Sequence, residues 1–185
     1  SLTGPLSSTK NMVIGYELWR DDINAAGGLL GRQVELVIYD DQSAPSNVPA
    51  IYSKLVDVDQ VDFLFTPYGA NLTATIMPFA KQRDRFIVGI LTLASNDGVK
   101  HDKFFQAAPW GPSGATDWAR GFFDVADSIG VKKMAILAAD TEFSKTAAEG
   151  GKRVSQELGM EVVSYQMYPP TNSDFSAILR MIRAT

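Results

Sequence analysis

Short apolar runs of strand character alternate along this chain with helical stretches of about ten residues or more, and that alternation leaves few folds open. Met12, Tyr16, Trp19 and Ile23 recur at helical spacing and mark one face of a first helix, which Gly27-Gly28 ends. Val34 to Tyr39 reads as a mostly buried strand, closed by Asp40-Asp41-Gln42-Ser43. Pro45-Ser46 opens a second helix with Val48, Ile51, Tyr52, Leu55 and Val58 on its buried side. The pattern repeats with a strand at Phe63-Leu64-Phe65, a helix from Leu72 to Gln82 and a strand from Phe86 to Leu91. Phe104 to Ala108 is extended and stops at Pro109. Trp110-Gly111-Pro112-Ser113-Gly114 is the best boundary in the chain, being dense in turn-forming residues. Beyond it come a helix to Ile129-Gly130, a strand at Met134 to Leu137 and a helix ending near Leu158-Gly159. A strand at Val162 to Tyr165 follows, then a last helix capped by Ser173 or Asp174 and still running at Arg183. Strands separated by such helices require crossovers, and crossovers imply parallel sheets with helices on both faces. The fold class is α/β, doubly wound.

Composition removes several functions. With 17 basic against 21 acidic residues the net charge is −4, which argues against neutralising nucleic-acid phosphates. No apolar stretch is long enough to span a membrane, so no membrane insertion is expected. Zero cysteines exclude disulfides, thiolate nucleophiles and zinc-thiolate sites, without fixing the compartment. The start, Ser1-Leu2-Thr3-Gly4-Pro5, has neither a basic nor an apolar leader region. That start is read as either a cytoplasmic protein or a chain whose true beginning lies elsewhere.

Enzyme signatures fail one by one. Gly27-Gly28-Leu29-Leu30-Gly31 follows a helix, whereas a dinucleotide loop must join a strand to a helix N-terminus. Gly150-Gly151-Lys152 lies in mid-helix without phosphate-loop spacing. Gly111-Pro112-Ser113-Gly114 would need glycine where Ala115 stands to make a nucleophile elbow. The single imidazole, His101, sits in a charged stretch and reads as solvated surface, which also excludes multi-histidine metal sites. Asp40-Asp41 ends a strand, where two carboxylates could hold a cation. The favoured reading is a turn in which Asp41 or Ser43 caps the next helix. Trp19, Tyr52, Phe79, Trp118, Phe122 and Phe123 read as core or interdomain contacts. Neither a catalytic residue nor a metal or cofactor site is expected.

Ligand binding remains. In open α/β sheets ligands sit beyond the carboxyl ends of the strands. Four stretches fall there: Ser7-Ser8-Thr9, Tyr68-Gly69-Ala70-Asn71, Leu91-Thr92-Leu93-Ala94, and Asp140-Thr141-Glu142-Phe143. They offer hydroxyls, an amide, small residues and rings, with little strong charge, which suits a small organic ligand held by backbone amides.

Three blocks carry a family resemblance: Leu2-Thr3-Gly4-Pro5, Asp22-Ile23-Asn24-Ala25-Ala26-Gly27-Gly28-Leu29-Leu30-Gly31-Arg32, and Val34 to Tyr39 with Asp40-Asp41-Gln42-Ser43. Together the sequence resembles the type I periplasmic solute-binding proteins, in the leucine/isoleucine/valine-binding branch of ABC importer receptors. The resemblance implies two α/β lobes closing on a ligand, export to the periplasm, and docking of the closed form on a membrane permease. Residues 1–109 would be the first lobe, lacking its first strand, and residues 110–185 the start of the second. The whole mature receptor would then be about twice as long.

The resemblance places ligand contacts at Ser7, Ser8 and Thr9, at Tyr68, Gly69, Ala70 and Asn71, at Leu91, Thr92 and Leu93, and at Phe143, where the family has a covering tyrosine. Ala70, Leu93 and Phe143 lack the hydroxyls that amino-acid binders carry there, with Thr92 in partial compensation. Loss of hydroxyls relaxes discrimination in favour of polar groups. A less polar ligand is therefore expected, an aromatic or aliphatic carboxylate first and a branched-chain amino acid second. A ligand-sensing domain of a receptor or regulator with the same fold is the alternative.

Overall fold

Helix α1, Asn11–Ala25, ends where Gly27 and Gly28 take φ of 105° and 87°, a left-handed region that a Cβ would strain. The Gly28 N–H donates back to Ile23 O at 2.8 Å. A Cβ on Gly28 would lie 2.1 Å from the Arg32 carbonyl oxygen, so the chain returns past this point only because the residue is glycine. Asn24 then clasps the returning chain. Its Nδ2 donates to Val34 O at 2.9 Å, and the Val34 N–H donates to its Oδ1 at 2.7 Å. The glycines and Asn24 of this block therefore serve one tight reversal.

The computed structural model describes residues 1–108 and 114–184. Its elements continue with α2 (Val48–Ser53), which runs into a π turn (Lys54–Val58), then β1 (Leu64–Phe65) and α3 (Gly69–Thr73). There follow α4 (Met77–Gln82), β2 (Ile87–Gly89), β3 (Phe104–Gln106) and α5 (Gly114–Ser128). The order closes with β4 (Lys133–Ala139), α6 (Glu142–Glu157), β5 (Glu161–Tyr168) and α7 (Ser176–Arg183). Among the described residues the strands pair in parallel: β1 with β2, β2 with β3, and β4 with β5. The chain thus builds two α/β units, one around each sheet. The boundary expected at Pro109 to Ser113 lies outside the described residues.

Each unit has its own core. In the first, Val48, Tyr52 and Val56 pack against Leu64, Leu72, Ile76, Met77 and Ile87. In the second, Phe123 and Ala126 of α5 meet Val154 of α6 and Met160. Full burial of one such aliphatic side chain contributes roughly 1.5–3 kcal/mol. Gly151 lets the two helices close up, since a Cβ there would stand 3.0 Å from the Phe123 ring.

Several expectations are corrected. Val34 to Tyr39 is extended but belongs to no sheet. Among the described residues no backbone hydrogen bond ties 35–39 to another segment. A cavity of about 770 Å³, lined by Leu36 and Ile38 on one side and Tyr16, Trp19, Phe65 and Val88 on the other, separates it from β1. Ladder bonding needs a strand about 4.8 Å away, and none stands there. The helix expected from Leu72 to Gln82 is two short helices, because Pro78 cannot donate within a continuous helix and instead occupies the first turn of α4. Val58 is 70 % exposed rather than on the buried side of its helix, since the π turn rotates it outward. Phe122 is 68 % exposed while its neighbour Phe123 is core, as one helix cannot bury both.

Replacing Asn24 with alanine removes two backbone-directed hydrogen bonds and should lower the unfolding free energy by about 2 kcal/mol. Leu30→Ala, at an exposed position, should change it by less than about 0.5 kcal/mol. Urea titrations of both variants check this, and equal effects would deny Asn24 its role.

Candidate functional site

Parallel pairing sends successive strands out at the same sheet edge, so the loops after β1 and β2 leave side by side. Gly69 enters α3 with φ of 77°, behind an extended Tyr68. Ala70 is buried in the core, whereas Asn71 is exposed. After β2 the backbone is strained: Leu91 and Leu93 both hold positive φ, 55° and 44°, on either side of Thr92. Left-handed non-glycine residues each cost about 1–2 kcal/mol, so the surroundings must hold them. Thr92 supplies that hold. It is fully buried, and its hydroxyl donates to Gln106 Oε1 on β3. Its carbonyl accepts from Ser95 Oγ at 2.6 Å. Gly89 leaves room for the cluster, since a Cβ there would lie 2.9 Å from the Thr92 methyl and 2.8 Å from the Phe104 ring.

Ser7, Ser8 and Thr9 form a short 3-10 turn running to Lys10. The Thr9 hydroxyl donates to Leu6 O at 2.7 Å, so it is engaged within the turn. The turn is held from the side by Asp40 to Ser43. The Asp40 carboxylate accepts from Leu2 N at 2.7 Å, Thr3 N at 3.1 Å, Thr3 Oγ1 at 2.6 Å and Gln42 N at 3.0 Å. Ser43 Oγ accepts from Leu6 N at 3.0 Å and donates to Thr3 O at 2.8 Å. Gly4 allows this contact, because a Cβ there would sit 2.4 Å from Gln42 O. Asp41 makes a turn by accepting from Ser43 N at 2.8 Å, but it caps no helix. Helix α2 starts later, at Val48, with Asn47 before it.

The second unit contributes the N-terminus of α6. Thr141 caps it through a 3.4 Å bond from Ser144 N to its hydroxyl. The Phe143 N–H donates to Asn71 Oδ1 at 3.0 Å, joining the two units. The Phe143 ring meets Trp118 edge to face at 5.8 Å between centroids. Trp118 is 48 % exposed, so it is a surface ring beside the Asn71 contact rather than core.

Of the eleven residues expected at a ligand, Asn71 and Phe143 are in direct contact, and Thr9 and Tyr68 line one cavity. Leu91 to Leu93 follow the strand next to β1. Ala70, Thr92 and Leu93 are buried as whole residues, whereas their neighbours Gly69, Asn71 and Leu91 keep some exposure. Sequence reasoning missed Trp118, assigned to core or interdomain contact, and Gln106, whose one signal is a polar residue in an apolar extended run. It also misplaced His101, which is 3 % exposed. His101 Nε2 lies 2.7 Å from Arg85 O and donates to it, since a carbonyl only accepts. Asn96 clasps the His101 backbone, accepting from its N–H at 2.8 Å and donating to its carbonyl at 3.0 Å. Its role is structural. Among the described residues no cluster of His, Asp and Glu could hold a metal, and no helix is long and apolar enough to cross a membrane.

Two parallel α/β units therefore meet through a strand-end loop and a helix N-terminus. The periplasmic binding protein family matches residues 1–185, and the chain belongs to that family. It is 25 % identical over 189 residues to a Pseudomonas aeruginosa amino acid binding protein, covering 95 % of this chain and 48 % of that protein. A solute binding protein of an ABC transporter from Rhodopseudomonas palustris HaA2, in complex with p-hydroxybenzoic acid, superposes with a TM-score of 0.83 at 21 % identity. That match covers 100 % of this chain and 49 % of the other. A branched-chain amino acid transporter substrate binding protein from Streptococcus pneumoniae, in complex with isoleucine, gives a TM-score of 0.79 at 21 % identity. There the match covers 100 % of this chain and 52 % of the other. The chain therefore spans about half the length of the relatives it matches.

The Thr3 hydroxyl, with the amides of Gln42, Leu2 and Thr3, holds the Asp40 carboxyl well below its ordinary value of 3.8. A carboxyl lowered by folding stabilises fully above its unfolded value, and that contribution is lost as pH falls through and below it. Asp40→Asn should therefore flatten the acid limb of stability relative to the parent below about pH 4. Urea unfolding as a function of pH reads this; parallel acid limbs would contradict it.

Proposed function

We propose that this chain is the ligand-binding part of the extracytoplasmic substrate receptor of an ABC importer. In this reading residues 1–109 belong to one lobe and 110–185 open the second. The protein is a binder and not an enzyme, works in the periplasm, and presents its closed form to a membrane permease. The observation that carries the reading is the meeting of Asn71 with the Phe143 amide, beside the Trp118–Phe143 ring pair, where two separate α/β units come together. A small molecule held between those units stabilises the closed arrangement by touching both, and the permease reads closure.

The ligand is a small carboxylate with an apolar body, aromatic before branched-chain aliphatic. Backbone amides of Gly69, Asn71 and Leu91, which keep some exposure beside the buried Ala70, Thr92 and Leu93, suit the carboxylate. Rings at Trp118 and Phe143 suit a planar apolar body, with edge-to-face contacts worth about 0.5–1.5 kcal/mol beyond area. The p-hydroxybenzoic acid and isoleucine in the two similar structures support both candidates.

Thermal unfolding of the full-length protein against hydroxybenzoates and branched-chain amino acids tests this. A ligand at about a hundred times its Kd adds roughly 2.7 kcal/mol of stability. Hydroxybenzoates should raise Tm more than leucine or isoleucine; the opposite order reverses the ligand assignment, and no shift with either class refutes it.

A further inference from the structure

Helix α6 has 16 residues, and its opening N–H groups need acceptors from outside the helix. Thr141 N donates to Ala139 O at 2.8 Å, and Ser144 N reaches the Thr141 hydroxyl. Lys145 N donates to Thr141 O at 2.9 Å, which is the first bond of the helix itself. The Phe143 amide takes its acceptor from the other α/β unit, as Asn71 Oδ1 lies 3.0 Å away and 72 positions back along the chain. Asn71 is exposed on α3, between the buried Ala70 and Leu72, so its backbone is fixed while its side chain reaches across. On the far side the Trp118 ring packs edge to face against Phe143 and holds that residue in position.

We propose that Asn71 is an interlobe cap for α6 and sets the open–closed equilibrium of the ligand-free protein, apart from any contact it makes with ligand. The proposal rests on the two-lobe reading above. The physical reason is a difference in partners between two states. Closed, the Phe143 amide is paired with Asn71; open, both groups return to water. A neutral hydrogen bond of this kind shifts such an equilibrium by about three- to tenfold. The cap therefore raises affinity by raising the fraction of molecules already competent to bind, and affinity scales with that fraction.

These 185 residues contain no cysteine, so labels introduced among them meet no other thiol there. Gln82→Cys on α4 and Gln156→Cys on α6, both exposed, place one spin label on each unit of the full-length protein. Distances are read by electron–electron double resonance after ligand is stripped by unfolding and refolding. Asn71→Ala should lower the closed-to-open ratio without ligand by about three- to tenfold. Asn71→Asp keeps an acceptor of the same length and sets a negative charge at a helix N-terminus, so it should retain the closed population. A ligand-free distribution unchanged in Asn71→Ala overturns the cap. So does an Asn71→Asp distribution as open as that of Asn71→Ala. If Asn71→Ala weakens binding while the ligand-free distribution stays fixed, Asn71 acts by touching ligand and the cap is likewise overturned. Failure of every candidate ligand would count against the receptor reading alone, since the ligand-free distances still report the cap.

Discussion

Parallel strand pairing is the constraint from which the rest follows. Because β1, β2 and β3 run the same way, as do β4 and β5, every return must cross a face of its sheet, mostly as helix. In the second unit that return is α6, which packs on both β4 and β5, and the loops gather at the strand ends. The same pairing places the loops after β1 and β2 side by side and puts the N-terminus of α6 directly after β4. A site at those ends needs no special fold, only particular residues on a general one.

Side-chain clasps on backbone then fix what pairing leaves loose. Asn24 grips Val34, Asp40 and Ser43 grip the segment from Leu2 to Leu6, and Asn96 grips His101. Glycine at positions 4 and 28 makes room where backbone passes backbone too closely for any Cβ. The three sequence blocks that resemble solute-binding proteins therefore meet at the third: Asn24 of the second holds its start at Val34, and the first is held by its end at Asp40 and Ser43. The same device recurs at the strained loop, where Gln106 of β3 holds Thr92 between two left-handed leucines. The two units keep separate cores, one around Leu72 and Ile87 and the other around Val154.

What could be read from the sequence divides along physical lines. Helix and strand alternation follows from local periodicity, so the fold class and most elements were legible. Local punctuation was legible too: Gly130 and Gly159 hold positive φ just past α5 and α6, and Asp174 accepts from Ser176 N at 2.8 Å ahead of α7. Contacts between distant residues leave no period. Nothing local marks Asn71 as the partner of a residue 72 positions on, or His101 as buried rather than solvated. The segment from Val34 to Tyr39 has full strand character, yet a ladder also needs a neighbour, and no local pattern reports one. At the site, position along the chain located the loops, whereas which side chains turn inward depended on packing that only the structure displays.

Ligand is proposed to sit between the two α/β units at the edge where Asn71 meets Phe143. The most direct measurement is a crystal structure of the full-length protein with the small molecule that it retains through purification. That molecule is expected within about 4 Å of both the backbone at Gly69 to Asn71 and the Phe143 ring. A ligand touching one unit alone, such as one lying in the cavity between Leu36 and Phe65, would contradict it.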